Sequence, residues 1–195
     1  LPPWIAQREY VMERALSAMT TAALGDLSNL DLAHGRTLHG LNPLQLRTEA
    51  VDSSKIEDIE ASLADYGRAL LGQGAKASAR SMAAATKAMD RLISTAGAER
   101  RITLDSVLSA HRELFSTDVT HAEDAGRMRA YQNWVGGSDW SPRNPLHVPP
   151  PPETVRDYMD DLFAFANRDD LPILAQAAIV HAQFESIHPF TDGNG

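Results

Sequence analysis

Apolar side chains recur along most of this chain with the spacing of one face of an α-helix. A stripe from Ile56 to Leu70 alternates steps of three and four residues, and Gly72 follows it as a helix terminator. Residues 76–95 are rich in alanine and carry a second apolar stripe. The pattern therefore predicts two helices over residues 56–70 and 76–95.

Three further helices are predicted in the second half of the chain. Thr103 is typical of an N-cap at the start of an apolar stripe. Pro152 suits the first turn of the next helix, because proline is well tolerated there. The last helix begins near Pro172 and ends near Ile187, since Pro189 disfavours helical geometry in the residue before it.

The helical periodicity is interrupted between residues 116 and 151. Trp134 and Val135 followed by Gly136 and Gly137 are typical of a strand that enters a turn, and a short strand could return before the proline run. The pattern predicts a β-hairpin flap on an otherwise all-α body. An irregular connecting loop is the alternative.

Composition narrows the class of protein. A length of 195 residues fits one domain, or one domain with an appendage. No apolar run reaches the roughly 18 residues of a membrane span, and the absence of cysteine excludes disulfides and thiolate metal sites. The net charge of −8 argues against nucleic acid as a partner. A cytoplasmic location is expected.

The last eight residues, HPFTDGNG, concentrate side chains that suit phosphate chemistry. His188 could accept a proton from an attacking hydroxyl, and Asp192 could hold Mg²⁺. Gly193, Asn194 and Gly195 could point backbone N–H groups at a phosphate. The stretch predicts a phosphoryl- or nucleotidyl-transfer site, with a simple turn after a helix cap as the alternative.

A metal centre on the preceding helix is a second alternative. His181, Glu185 and His188 lie at i, i+4 and i+7, a spacing that could bring three ligands to zinc or iron. The pattern is not H-E-x-x-H, and Pro189 is expected to bend His188 away. The plainer hypothesis is that His181 and Glu185 support the loop, while Phe190 anchors it to the core.

HPFTDGNG resembles the opening of the Fic motif, H-P-F-x-D/E-G-N-G-R-x-x-R, in every residue present. HAQFESIHPF is similar to the helix that leads into that motif, and GRMRAYQNWVGG and HVPPPPETV are similar to the segments before it. LRTEAVDSSKIED resembles the inhibitory segment S/T-x-x-x-E-G/N, and LPP resembles part of the N-terminal region. The resemblance to the Fic family covers nearly the whole chain.

The resemblance implies an all-α Fic-like domain with a β-hairpin flap, which moves AMP from ATP to a Ser, Thr or Tyr hydroxyl of a target protein. His188 would be the general base and Asp192 would bind Mg²⁺. Gly193, Asn194 and Gly195 would form the anion hole for the phosphates.

The resemblance also implies that the chain has two regions. Residues 1–75 would be an N-terminal region with an inhibitory helix, and residues 76–195 the catalytic core. Phe190 would fix the loop to that core. An extended target segment would pair with the flap by strand addition, through the residues Trp134, Val135, Gly136 and Gly137.

The chain departs from the family pattern in two ways. Both arginines of R-x-x-R lie beyond Gly195, so we expect a fragment truncated inside the motif that does not transfer AMP by itself. In the inhibitory segment, Asp58 stands where Gly or Asn is usual.

Ser53 and Glu57 are the defining pair of the inhibitory pattern. Glu57 would form a charge-assisted pair with the second missing arginine and block the γ-phosphate of ATP. Ser54 and Glu57 also read as a capping box, and both roles could hold together. AMP removal, transfer of another phosphate-containing group and a non-catalytic nucleotide- or protein-binding module stay open. So do the target and the oligomeric state, a homodimer included.

Overall fold

The computed structural model describes residues 1–41, 45–49, 61–118, 120–138 and 141–194. Within these ranges the chain is mostly helical, which confirms the all-α class. The helices of eight residues or more are α1 (Arg14–Leu38), α2 (Leu63–Leu70), α3 (Ala77–Glu99), α4 (Leu104–Leu114), α5 (Val155–Ala166) and α6 (Ile173–Ile187). Short 3₁₀ helices span His39–Leu41 and Pro152–Thr154. None of the described helices is long and apolar enough to cross a membrane.

Helices α3 to α6 match the predicted elements. Thr103 caps α4 through its Oγ1, which accepts a bond of 3.2 Å from the N–H of Ser106. The Ser106 Oγ accepts a bond of 3.1 Å from the Thr103 N–H, so the two residues form a capping box. Helix α6 ends at Ile187, as the following His188-Pro189 pair predicts.

The first two helices differ from the prediction. Helix α2 begins at Leu63, because Ser62 is extended and its Oγ accepts the Asp65 N–H at 3.2 Å. A residue that caps a helix in this way cannot lie inside one, so the helix predicted from Ile56 does not run through Ser62. The part of that prediction before residue 61 lies outside the described residues. Helix α1 is not predicted by the apolar spacing of the sequence.

The segment between α4 and α5 contains isolated bridges and no strand among its described residues. Val135 pairs antiparallel with His147, and Ser138 with Ser141. The Val135 N–H donates to the His147 C=O at 2.9 Å, and the Val135 C=O accepts the N–H of Leu146 at 2.8 Å. The proline run that follows cannot donate ladder hydrogen bonds, which explains why the returning segment stops at one bridge.

Contacts divide the chain into two units, Leu1–Arg8 with Lys87–Gly195, and Glu9–Thr86. The core of the first unit is formed by the buried side chains Ile5, Val155, Tyr158, Met159, Leu162, Phe165 and Ile187. The second unit has a smaller core, in which the Tyr66 hydroxyl bonds the Thr86 Oγ1 at 3.0 Å. The domain boundary after residue 75 stays a prediction.

The N-terminal segment is part of the first unit. The Trp4 and Tyr158 rings stack with centroids 4.3 Å apart and planes at 7°. The Asp161 carboxylate accepts the backbone N–H groups of Ile5 at 2.7 Å and Ala6 at 3.1 Å. These contacts hold the segment on α5, which carries most of the core beneath α6.

Candidate functional site

His188 follows the last turn of α6 in a left-handed conformation, with φ 50° and ψ 63°. Its imidazole is half-buried, and its Nδ1 has no hydrogen-bond partner among the described residues. Burial lowers the pKa of His188, as does the positive charge of Arg129, while the Glu185 backbone and the Asp192 carboxylate oppose them. The imidazole is therefore neutral near pH 7 and can accept a proton.

The loop after His188 is closed by the side chain of Asn194, which bonds the backbone of Phe190. The Asn194 Oδ1 accepts the Phe190 N–H at 2.8 Å, and the Asn194 Nδ2 donates to the Phe190 C=O at 3.0 Å. Phe190 is 1% exposed and its ring stacks on His111, with centroids 3.8 Å apart and planes at 22°. The side-chain amide of Asn194 is thus used within the loop and holds it closed.

Asp192 points a half-exposed carboxylate outward. Its Oδ1 accepts the Gly193 N–H at 2.7 Å, and its Oδ2 lies 3.5 Å from the Nε2 of His121. The His121 Nδ1 lies 2.9 Å from an Asp118 oxygen, a contact that raises the pKa of His121 and holds the pKa of Asp118 at about 2. A cation at Asp192 would compete with His121 for the carboxylate.

The donor set at Asp192 fits Mg²⁺ better than zinc. Within the described ranges there is no group of three or more His, Cys, Asp or Glu side chains that could hold a metal ion. Mg²⁺ needs fewer protein ligands, because it is commonly held by one or two carboxylates together with substrate phosphates and water. The alternative site at His181, Glu185 and His188 has no support in this geometry.

Gly193 occupies a position where only glycine fits. Its φ is +74°, and a Cβ there would come within 2.8 Å of both Leu114 and Phe115 side-chain atoms. The loop therefore lies directly against the end of α4. Gly195, the last residue of the predicted anion hole, lies outside the described residues.

His111 contacts the closing loop, although no sequence motif singles it out. The Gly126 N–H donates to its Nδ1 at 2.8 Å, so that nitrogen carries no proton, and its Nε2 donates to the Asp192 C=O at 3.0 Å. Burial lowers the pKa of His111, in keeping with this neutral tautomer. Its position on the apolar stripe of α4 was a signal that it is buried.

The predicted flap residues lie together at one turn, where Gly136 and Gly137 are exposed and Trp134 and Val135 are half-buried. Gly136 and Gly137 have φ of +76° and +82°, and the indole N–H of Trp134 donates to the Ser138 C=O at 3.0 Å. The segment is tied to the loop, because the Asn133 side chain donates to the Phe190 C=O at 3.2 Å. The predicted inhibitory pair, Ser53 and Glu57, lies outside the described residues.

The fold matches that of known Fic structures. It aligns over 96% of its length with a Fic family protein from Desulfovibrio desulfuricans G20, at a TM-score of 0.74 and 21% identity, and covers 56% of that chain. A Fic domain containing signaling protein from Bacteroides thetaiotaomicron aligns over 91%, at a TM-score of 0.67 and 18% identity, with 66% of that chain covered. At these identities the likeness defines a helical Fic fold.

The sequence comparisons agree. The Fic/DOC family model matches residues 101–195, and that part of the chain belongs to the Fic/DOC family. Over 97 residues the chain is 37% identical to "Protein adenylyltransferase Fic" of Nematostella vectensis and 31% identical to "Protein adenylyltransferase fic-1" of Caenorhabditis elegans. The match covers 48% of this chain, but only 20% and 17% of those relatives.

Proposed function

We propose that this chain is the catalytic part of a protein adenylyltransferase, which transfers AMP from ATP to a Ser, Thr or Tyr hydroxyl of a target protein. His188 takes the hydroxyl proton, the oxygen attacks the α-phosphorus, and pyrophosphate leaves. The observation that carries the proposal is a neutral, half-buried His188 beside a closed loop that ends in Asp192 and Gly193. The curated relatives named as adenylyltransferases support the same activity.

The loop would receive the nucleotide on its backbone. Gly193, Asn194 and Gly195 would present N–H groups to the phosphates, and the Gly193 N–H would exchange its contact with Asp192 for a phosphate oxygen. Asp192 would hold Mg²⁺, which neutralises phosphate charge when it is bound. Phe190 would keep the loop on the core through its stack with His111.

Target docking would use the turn from Trp134 to Gly137. The antiparallel bridge at Val135 and the exposed turn at Gly136 and Gly137 support this role, because a peptide could add as a strand beside the bridge. Exposed apolar side chains flank this turn, with Tyr131 81% and Leu146 87% exposed. The target segment would pair beside the isolated bridge at Val135 and extend it into a longer strand pairing.

Glu57, with Ser53, would hold the enzyme inactive by occupying the γ-phosphate position. The sequence pattern supports this part of the proposal. A cytoplasmic location and a homodimer stay predictions.

The test uses α-³²P-labelled ATP and Mg²⁺ with full-length protein. We expect no label on the wild type, strong label on Glu57→Gly, and at least a 100-fold loss in the double variant Glu57→Gly with His188→Ala. Glu57→Gly with His34→Ala is the matched control, because His34 is an exposed histidine in α1 and lies outside the unit that contains His188. It should label as strongly as Glu57→Gly alone.

Other results would overturn parts of the proposal. Equal label with and without His188 would remove its role as the base, and strong label on the wild type would remove the inhibition by Glu57. ATP binding by calorimetry without label in any variant would count against self-adenylylation and favour AMP removal, another donor or a target protein that the assay lacks. No ATP binding at all would favour a protein-binding module.

A further inference from the structure

Arg129 is buried, with 5% of its surface exposed, and its guanidinium bonds backbone carbonyls in several directions. The Nε donates to the His188 C=O at 2.8 Å. The Nη2 donates to the C=O groups of Pro150 at 2.6 Å and Ile187 at 3.4 Å, and the Nη1 donates to that of Tyr131 at 3.1 Å. No carboxylate pairs with Arg129 in the part of the chain that the structure describes.

These bonds satisfy the carboxyl end of α6. The last carbonyls of a helix have no partner within it, and a positive charge is favourable there because of the helix dipole. Arg129 donates hydrogen bonds to the carbonyls of Ile187 and His188. The Nε2 of His147 bonds the Ser186 C=O at 2.8 Å. The backbone N–H of Arg129 also donates to the Pro189 C=O at 2.9 Å. Both cap side chains come from the segment that forms the predicted flap.

We propose that Arg129 is a positioning residue for the reaction: it holds the left-handed bend at His188, and thereby aims the imidazole. A non-glycine residue in this conformation is strained, so it persists only where its surroundings impose it. The bond from the Arg129 Nε fixes the peptide that leaves His188, and the bond to the Tyr131 C=O fixes the start of the flap. One side chain thus couples the docking segment to the base. The inference rests on the proposed function.

The geometry requires the fork of arginine rather than a positive charge alone. The bonds leave one planar group in three directions, whereas the ammonium of lysine is a compact charge on a flexible stem. A lysine could reach one or two of the carbonyls and would leave the others buried without a donor. The proposal therefore predicts that lysine does not replace Arg129.

The first experiment measures AMP transfer by full-length protein that carries Glu57→Gly. We expect Arg129→Gln to lower kcat about 100-fold and Arg129→Lys at least tenfold, with KM for ATP within twofold of the parent. Arg127→Gln is the matched control, because Arg127 lies two residues before Arg129 and its side chain is exposed. The substitution removes the same positive charge. It should leave kcat unchanged. Circular dichroism checks each fold, and if Arg129→Gln does not fold, Arg129→Lys decides.

The second measurement does not depend on activity. In protein labelled with ¹³C-histidine, the His188 ring signal should shift in Arg129→Lys and stay in place in Arg127→Gln. If no variant transfers AMP, the proposed function fails while this signal still tests the positioning role. An Arg129→Lys protein with an unshifted His188 signal, or with the kcat of its parent, would overturn the inference.

Discussion

Two residues with positive φ define the shape of the closing loop. His188 turns the chain out of α6, and Gly193 turns it along the end of α4. The first is a non-glycine residue in a strained conformation, which Arg129 supports from outside. The second is a glycine because neighbouring side chains leave no space for a Cβ. The same conformation thus lies at the proposed base in one position and at a close approach to α4 in the other.

Gly193→Ala should disrupt the loop more than the fold. An alanine at φ +74° costs about 1–2 kcal/mol, and its Cβ would lie 2.8 Å from Leu114 and Phe115 atoms. We expect the free energy of unfolding, from urea titration, to fall by at least that amount, and labelling by Glu57→Gly protein to fall about 100-fold. Gly97→Ala is the control, because no atom lies within 4 Å of its added Cβ. Undiminished labelling by Gly193→Ala would contradict the proposed loop geometry.

At the scale of elements, the cap at the start of α4 supports the site from a distance. The capping box of Thr103 and Ser106 begins the helix that carries His111 and packs its last turn against Gly193. The helix start and the loop are therefore parts of one structural unit. A weaker cap should lower stability without removing any group from the site.

Thr103→Ala should cost about 1 kcal/mol of unfolding free energy, the usual price of a lost side-chain cap. Urea titration measures it, and Ser94→Ala, at an exposed site in α3, should leave the free energy unchanged or slightly higher. A cost for Thr103→Ala no larger than that of Ser94→Ala would show that the cap contributes nothing.

The helices that the sequence predicts well are those with explicit end signals. Thr103, Pro152 and Pro189 each act through local backbone chemistry, so their effect can be read without knowing the fold. Helix α1 has no comparable signal, and its large apolar side chains, such as Leu27 and Leu32, are exposed rather than gathered in a buried stripe. The start of α2 is set by Ser62, whose cap overrides the apolar spacing upstream.

At the scale of the whole molecule, a buried histidine, His111, and a half-buried one, His188, should make the fold sensitive to acid. Burial is the main cause that lowers the pKa of His111 and of His188 below their ordinary value of 6.5. Their neutral forms are favoured in the folded state, so the stability they contribute is present above pH 6.5 and is lost as the pH falls. The raised pKa of His121 acts in the opposite sense, but its side chain is 33% exposed and its effect is screened more strongly.

The urea midpoint should therefore fall between pH 7 and pH 5. His111→Asn should flatten this dependence, although it lowers stability at pH 7 because the stack with Phe190 is lost. His34→Asn, at an exposed position in α1, should keep the wild-type dependence. A midpoint that does not fall in wild type, or an equally steep fall in His111→Asn, would contradict this account.

The candidate site could be predicted only where its members are neighbours in sequence. His188, Asp192 and Gly193 lie within six residues, and their chemistry can be read as one loop. His111 and Arg129 reach that loop from distant segments, through bonds to main-chain atoms that no side-chain pattern encodes. For His111 the available sequence signal was its place on the apolar stripe of α4. No comparable sequence signal marks Arg129 as a buried arginine that bonds main-chain carbonyls.

The two hydrogen bonds between the Asn194 side chain and the Phe190 backbone bear on how the loop would bind a nucleotide. Since both polar atoms of that amide are already engaged, the loop has its shape before any ligand arrives. Little conformational entropy would then be lost on association, and affinity would depend on contacts rather than on induced fit. A regulator of such a preorganised loop would act by changing how the nucleotide sits, because reshaping the loop would first require the two Asn194–Phe190 bonds to break.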